Sequence, residues 1–88
     1  MQTIYKYPLA EETTIIHTPK QIEPLCVMLQ NGWPHLWAKV KVDPSEPLVP
    51  RTIYCKGTGT TFPPVPTIYL GTVQMGIYVW HFFMEGEN

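Results

Sequence analysis

The sequence is poor in charge and lacks long apolar runs, and each shortage excludes a class of protein. Charged residues make up 15% of the 88 residues and the net charge is −1, which leaves no basic surface for nonspecific binding of duplex nucleic acid. No apolar run approaches the roughly 18 residues of a membrane span, and the first residues lack the basic-then-apolar pattern of a signal peptide. These absences predict a cytoplasmic protein with a single domain over residues 1–88.

Groups that perform catalysis or bind metals are also few. Cys26 and Cys55 have no CxxC spacing, and both fall in predicted strands, so we expect reduced thiols in or near the core. The three histidines and two cysteines do not show the spacing of zinc ligands. The sequence therefore predicts a protein that is not an enzyme and that holds no cofactor and no metal.

The secondary-structure signals are those of strands. No segment keeps a 3.6-residue apolar period, and ten prolines leave little room for a helix. Short stretches rich in β-branched and aromatic residues alternate instead with turn residues, and the second strand is expected to pair back on the first. This pattern predicts an all-β fold, a small antiparallel meander of six or seven strands that forms a sandwich or a partly closed barrel.

The clearest strand signal is a hairpin centred on Asn31-Gly32. Asn-Gly between two apolar runs favours a type I′ turn, which needs positive φ at both central residues. The turn fixes a register in which Gln30 lies opposite Trp33 and each earlier residue lies opposite a later one. Since side chains alternate across a strand, this register divides the hairpin into two faces.

One face of the hairpin is aliphatic and is predicted to be core: Leu25, Val27, Leu29, Leu36, Ala38 and Val40. The other face carries rings, sulfur and polar groups: Cys26, Met28, Gln30, Trp33, His35, Trp37, Lys39 and Lys41. Such a mixture is typical of a partner interface or of a platform for stacking a ring. We therefore take as candidate binding residues Met28, Trp33, His35, Trp37 and Lys39. Three interpretations stay open: a second layer such as the C-terminal hairpin covers this face, a second subunit covers it, or a ligand does.

Two further segments carry predictions. Residues 67–84 indicate a second hairpin with Met75-Gly76 at its tip, which places Trp80 opposite Gly71. The turn after the fifth strand is a candidate anion site, because its backbone amides and hydroxyls could hold a phosphate beside two cations. The residues of that site are Arg51, Lys56, Gly57, Thr58, Gly59 and Thr60. The spacing is not that of a P-loop, and turn formation alone also explains the glycines.

Short landmarks recur along nearly the whole chain: Thr3-Ile4-Tyr5-Lys6-Tyr7, Gln30-Asn31-Gly32 with Leu36-Trp37-Ala38, Gly57-Thr58-Gly59, Tyr69-Leu70-Gly71-Thr72 and Val79-Trp80-His81-Phe82. Together they resemble a family of short phage and prophage proteins of unknown function. The resemblance implies a phage origin and no catalytic residues.

Three functions are compatible with these observations. The first is a phage accessory protein that binds a host protein, a component of a defence system, in the bacterial cytoplasm. The second is a homo-oligomeric sponge that stacks a nucleotide-like small molecule on the aromatic side and holds its phosphate at the anion site. The third is a phage structural or assembly protein. The low surface charge favours self-association in each case.

Overall fold

The computed structural model describes residues 1–10 and 12–86. That part of the chain contains seven strands and no helix, arranged as two antiparallel sheets that do not close into a barrel. The strands are β1 (Gln2–Pro8), β2 (Thr14–Thr18), β3 (Gln21–Gln30), β4 (Trp33–Lys41), β5 (Val49–Gly57), β6 (Thr67–Met75) and β7 (Tyr78–Glu85). The predicted all-β fold is confirmed in its sandwich form. The described residues include no helix that is long and apolar enough to cross a membrane.

Strands that follow one another along the chain do not all belong to the same sheet. Sheet A has the order β1-β4-β3 and sheet B the order β2-β5-β7-β6. The expected pairing of β1 with β2 is wrong, because β1 pairs with β4 and β2 pairs with β5. The chain crosses between the sheets after β1, and this crossing buries Leu9 and Ile16 in the core between them.

The β3–β4 hairpin has the predicted turn and, near it, the predicted register. Asn31 and Gly32 have φ of +52° and +77°, as a type I′ turn requires. The pairs run without interruption from Gln30 and Trp33 to Cys26 and Trp37. Farther from the turn the prediction is wrong: a bulge at Leu25 places Pro24 opposite Ala38. Proline has no N–H for the ladder, and such positions commonly coincide with bulges.

The core lies between the inner faces of the two sheets. Its buried apolar residues are Leu9, Ile16, Val27, Leu36, Ala38, Val40, Ile53, Leu70, Val73, Phe82 and Met84. Four of the six residues predicted as the aliphatic face of the hairpin belong to this set. Leu25 and Leu29 do not, since they are 47% and 40% exposed. Leu25 is the bulged residue, and Leu29 lies beside the turn at the end of the sheet.

The C-terminal hairpin forms, but its turn is one residue later than predicted. Gly76 and Ile77 occupy the turn, and Gly76 has φ of +63°. A turn that begins with glycine is of the II′ kind, whereas a turn of Met75 and Gly76 needs positive φ at methionine. Trp80 consequently lies opposite Val73 on β6 and opposite Gly57 on β5, not opposite Gly71. A Cβ placed on Gly57 would lie 3.4 Å from the Trp80 ring.

β6 packs against β3 across the core. A Cβ on Gly71 would lie 3.1 Å from Val27 Cβ and 3.2 Å from the Val27 backbone nitrogen, so glycine permits this close approach. A bulge at Leu70 turns that side chain into the core. The C-terminal hairpin therefore covers the inner face of sheet A and leaves the outer face of sheet A open.

Candidate aromatic binding face

The outer face of sheet A carries the rings that the hairpin register predicted to lie together. We call the five side chains Met28, Trp33, His35, Trp37 and Lys39 the aromatic face. Alternation along β4 directs Trp33, His35 and Trp37 outward, while the intervening Pro34, Leu36 and Ala38 are buried. Trp33 is 43% exposed and Met28 57% exposed. The structure thus brings the candidate binding residues together at the surface.

The rings of the aromatic face touch one another and the backbone. The centroids of the His35 and Trp37 rings are 5.7 Å apart. His35 Nδ1 donates a hydrogen bond of 2.8 Å to the Trp33 carbonyl oxygen, so Nε2 of a neutral imidazole is left as the acceptor. This bond fixes the tilt of the imidazole between the two indoles.

Polar side chains cross the face from both edge strands. Lys6 on β1 lies opposite Trp37, and Gln30 on β3 lies opposite Trp33. Lys6 Nζ donates a hydrogen bond of 2.6 Å to Gln30 Oε1. This contact joins the two edge strands across the central strand β4. It gives the face a polar element beside Met28, as in interfaces where an apolar centre has a polar rim.

The aromatic face continues into a basic end. Lys39 and Lys41 follow Trp37 along the outward positions of β4, and Glu23 lies opposite Lys39 on β3. A shallow depression of about 210 Å³ lies at this end, and its lining includes both lysines and Glu23. With Lys6, three lysines and one carboxylate give the outer surface of sheet A a net positive charge, although the chain as a whole carries −1.

The structure does not assemble the candidate anion site. Arg51 is six residues before Gly57 on the extended strand β5, a distance of about 20 Å. Its Nε donates to Thr18 Oγ1 at 3.2 Å and its NH2 group donates to the Lys20 carbonyl oxygen at 2.8 Å. Lys56 Nζ lies 5.9 Å from the centre of the Phe62 ring. The Arg51 guanidinium is therefore held away from the glycine turn, and the Lys56 ammonium group lies by the Phe62 ring.

The loop itself is explained by turn geometry. The Thr60 amide and the Thr60 hydroxyl both donate to the Gly57 carbonyl oxygen, at 3.2 and 2.8 Å. Gly59 has φ of +89°, a conformation that glycine adopts without strain. Sheet B lies between this loop and the aromatic face, so one small molecule cannot contact both in the same chain.

Sequence reasoning missed a hydrogen-bonded cluster on the outer face of sheet B. His81 Nε2 lies 2.8 Å from Thr58 Oγ1, and His81 Nδ1 lies 3.0 Å from Thr72 Oγ1. The Tyr69 hydroxyl lies 2.6 Å from Thr72 Oγ1. We call these four residues the histidine network. Its signal in the sequence is the pairing of Thr72 with His81, which the predicted position of the second turn obscured.

A group of aromatic rings lies beside the histidine network and shares Tyr69 with it. Phe62, in the loop after β5, meets Phe83 edge to face with centroids 4.7 Å apart. The centroids of the Tyr69 and Phe83 rings are 5.3 Å apart. Thr58 and Phe62 both belong to the loop of residues 58–66, while Tyr69 lies on β6 and His81 and Phe83 on β7. These contacts fasten the loop to the outer face of sheet B.

The two cysteines lie on different sheets. Cys26 lies on the outer side of sheet A and Cys55 on the inner side of sheet B, and neither forms a disulfide. Residues 1–10 and 12–86 contain no group of three or more histidine, cysteine, aspartate or glutamate side chains that could hold a metal ion. A cleft of about 470 Å³ opens between the sheets, with Ile22, Ile68 and Met84 among its lining residues.

The comparison with protein families decides where this chain belongs. One family model matches residues 1–88, the entire sequence. The chain belongs to the DUF7352 family, a domain of unknown function. No curated protein and no solved structure matches it. The family carries no assigned activity or site, so the surface chemistry of sheets A and B is the basis for a functional proposal.

Proposed function

We propose that this protein is a non-enzymatic phage accessory protein, and that it acts by binding a component of a host defence system through the aromatic face. The observation that carries the proposal is the exposure of Trp33 and Met28 beside Trp37 on an otherwise uncovered sheet surface. Trp and Met are enriched in the centres of binding interfaces. Phage origin rests on the sequence landmarks of the resembling family.

The aromatic face also suits self-association, and we propose that the protein forms a homo-oligomer in the host cytoplasm. An isolated outward row of two indoles and an imidazole is unusual on a monomer, since exposed apolar patches mark interaction sites. Sedimentation measurements with the double variant W33A/W37A decide whether this face or another joins the subunits. Dissociation of the variant into single chains places the subunit contact on the aromatic face.

The nucleotide sponge remains a second candidate in a changed form. A base stacked on the aromatic face would find its phosphate partners in Lys6, Lys39 and Lys41, which share its side of the sheet, and not in the loop after β5.

A structural or assembly role in the phage particle is the third candidate. Detection of the protein in purified particles would favour that role.

Capture of a host protein by tagged W33A/W37A tests the main proposal. We expect the double variant to keep the circular-dichroism spectrum of the wild type and to lose the captured partner. Trp33 is exposed and Trp37 is half-buried on the outer face of sheet A, and neither belongs to the buried core, so their removal leaves the core intact. Hot-spot aromatics, in contrast, carry much of the binding energy of an interface. The matched control is I15A/I77A, which removes two exposed apolar side chains outside the aromatic face and outside the histidine network. If both double variants capture the partner equally well, the aromatic face is not the binding surface.

A further inference from the structure

The outward residues of β4 form a row whose spacing is set by the strand. Trp33, His35, Trp37, Lys39 and Lys41 are two residues apart, so successive side chains stand about 6.8 Å from one another. The row begins with three rings and ends with two ammonium groups. No aliphatic side chain interrupts it. An extended chain that lies along β4 would meet the three rings first and the positive charges next.

The charges on this side of the sheet reinforce that order. Of the six lysine and arginine residues in the sequence, Lys6, Lys39 and Lys41 lie on the outer surface of sheet A. Glu23 faces Lys39, and Asp43 lies near Lys41 and the N-terminal ammonium group: hydrogen bonds from Ser45, and then these two positive charges, lower the pKa of Asp43. The net charge of the surface is thus about +2, against −1 for the whole chain. A ligand that offers both rings and negative charges matches this surface.

We propose that the aromatic face binds single-stranded nucleic acid, with bases stacked on Trp33, His35 and Trp37 and phosphates held by the three lysines. This proposal rests on the proposed function and names what the face contacts in the host component: a single strand of nucleic acid that this component carries. Stacking on aromatic side chains combined with a positive groove is how single strands are bound without sequence preference. A duplex does not fit this mode of binding, because its bases are already stacked on one another and offer no free π face to the rings.

An acidic protein surface is the competing partner, since it would also meet the lysines. It would not need three flat rings in a row along one strand. A single strand does, because each unstacked base offers a π face. The row of rings therefore favours nucleic acid over an acidic protein.

Fluorescence polarisation with labelled oligothymidylate of about eight nucleotides, a length within the usual site sizes, tests the proposal. We expect binding whose logarithm falls with the logarithm of salt concentration at a slope of about −2, which corresponds to three phosphate contacts on a single strand. Trp37→Ala should weaken binding by about 5- to 150-fold, the range for loss of one base-stacking contact. An oligouridylate of the same length shows whether RNA or DNA is preferred.

Two lysine variants provide a matched pair. K39Q and K56Q each change the formal net charge from −1 to −2, but Lys39 lies on the aromatic face and Lys56 lies by Phe62 in the loop over sheet B. We expect K39Q to reduce the salt slope to about −1.4, since two phosphate contacts remain. K56Q should keep the slope of the wild type. Equal effects of the two variants would overturn the proposal.

Failure of this inference is separable from failure of the proposed function. If oligothymidylate and oligouridylate do not bind, while capture of a host protein still depends on Trp33 and Trp37, nucleic acid is excluded and the binding face stands. If a glutamate-rich peptide binds in a way that requires Lys39 and Lys41 and the oligonucleotides do not, the partner is an acidic protein. Oligonucleotide binding that survives W33A/W37A also overturns the inference, because stacking then plays no part.

Discussion

The two outer faces of the sandwich both carry aromatic rings, and they use them in opposite ways. On sheet B, Phe83 contacts both Phe62 and Tyr69, and the histidine network bonds the surrounding side chains to one another. On sheet A, Trp33 and Trp37 lie on an open surface, and the loop of residues 58–66 does not reach them. The comparison teaches that rings on an outer face stabilise the fold when a loop returns over them and are available for binding when none does.

The connections between strands account for this difference. β3 and β4 are joined by a two-residue turn, so this connection provides no chain to cover sheet A. β5 and β6 are joined by residues 58–66, which are long enough to fold back over sheet B. Three prolines in that loop restrict its conformations and lower the entropy lost when it is fixed.

The substitution Phe83→Ala should have the largest effect on stability. It removes the ring that Phe62 and Tyr69 both contact, so the loop loses its apolar anchor. Fully buried phenylalanines cost about 3–5 kcal/mol when truncated, and Phe83 is half-buried, so we expect a loss of about 2 kcal/mol. For a domain of this size that loss lowers Tm by about 8–16 °C. Chemical denaturation measures it.

Trp33→Ala is the counterpart on sheet A. Although tryptophan is the larger side chain, its exposure predicts a loss below about 1 kcal/mol, in the range of surface substitutions. If Trp33→Ala destabilises the protein as much as Phe83→Ala, the indole is part of the core and the contrast between the two faces is wrong.

The sequence was sufficient for the aromatic face because one local signal determined it. Asn31 and Gly32 admit a single tight turn, and the two-residue period of a strand then assigns every nearby side chain to a face. Trp33, His35 and Trp37 could be placed together on that basis alone. The prediction failed at Leu25, where proline at the preceding position led to a bulge, since a bulge reverses the alternation beyond it.

The outer face of sheet B could not be predicted in the same way. Its members come from the loop, β6 and β7, and their meeting depends on which residues form the second turn. A shift of that turn by one residue moves every cross-strand partner by two positions, so Thr72 and His81 were not expected to face each other. The loop contacts of Phe62 are tertiary and have no local signature.

Thr72→Val tests what the histidine network contributes to stability, and we expect a smaller loss than for Phe83→Ala. The substitution keeps the shape of the side chain and removes the hydroxyl that joins His81 Nδ1 to Tyr69. A hydrogen bond contributes about 0.5–1.5 kcal/mol net, and the exposure of Thr72 favours the lower end. Thr61→Val, at an exposed position in the loop, is the matched control. Hydrogen exchange should be faster in residues 58–62 of Thr72→Val and unchanged in β4. Faster exchange in both regions would mean that the network stabilises the whole fold and not the loop.

The smallest expected effect concerns alkaline pH and Tyr54, whose hydroxyl donates to Glu85 Oε1 at 3.2 Å. Desolvation, followed by the negative charge of Glu85 and this hydrogen bond, raises the pKa of Tyr54 above its ordinary value of 10.0. A raised pKa means that the folded state holds the proton more tightly, so this contribution to stability is complete below pH 10 and is lost as pH rises through the folded pKa.

Denaturant titrations on both sides of pH 10 measure this loss. Tyr54→Phe should therefore lose less stability than the wild type between neutral pH and pH above 10. Glu85→Gln should reduce this loss in part, because the negative charge of Glu85 is removed. Burial, and then the neighbouring Tyr5, also raises the pKa of Tyr7, so Tyr7→Phe serves as the comparison. This variant should lose less stability than the wild type at alkaline pH. Adding Glu85→Gln to it should change the stability as much as it does in the wild type. If Glu85→Gln has no effect in the Tyr7→Phe background, the contact of Tyr54 with Glu85 does not contribute to the pH dependence of stability. Tyr7 then accounts for the stability that the tyrosines lose at alkaline pH.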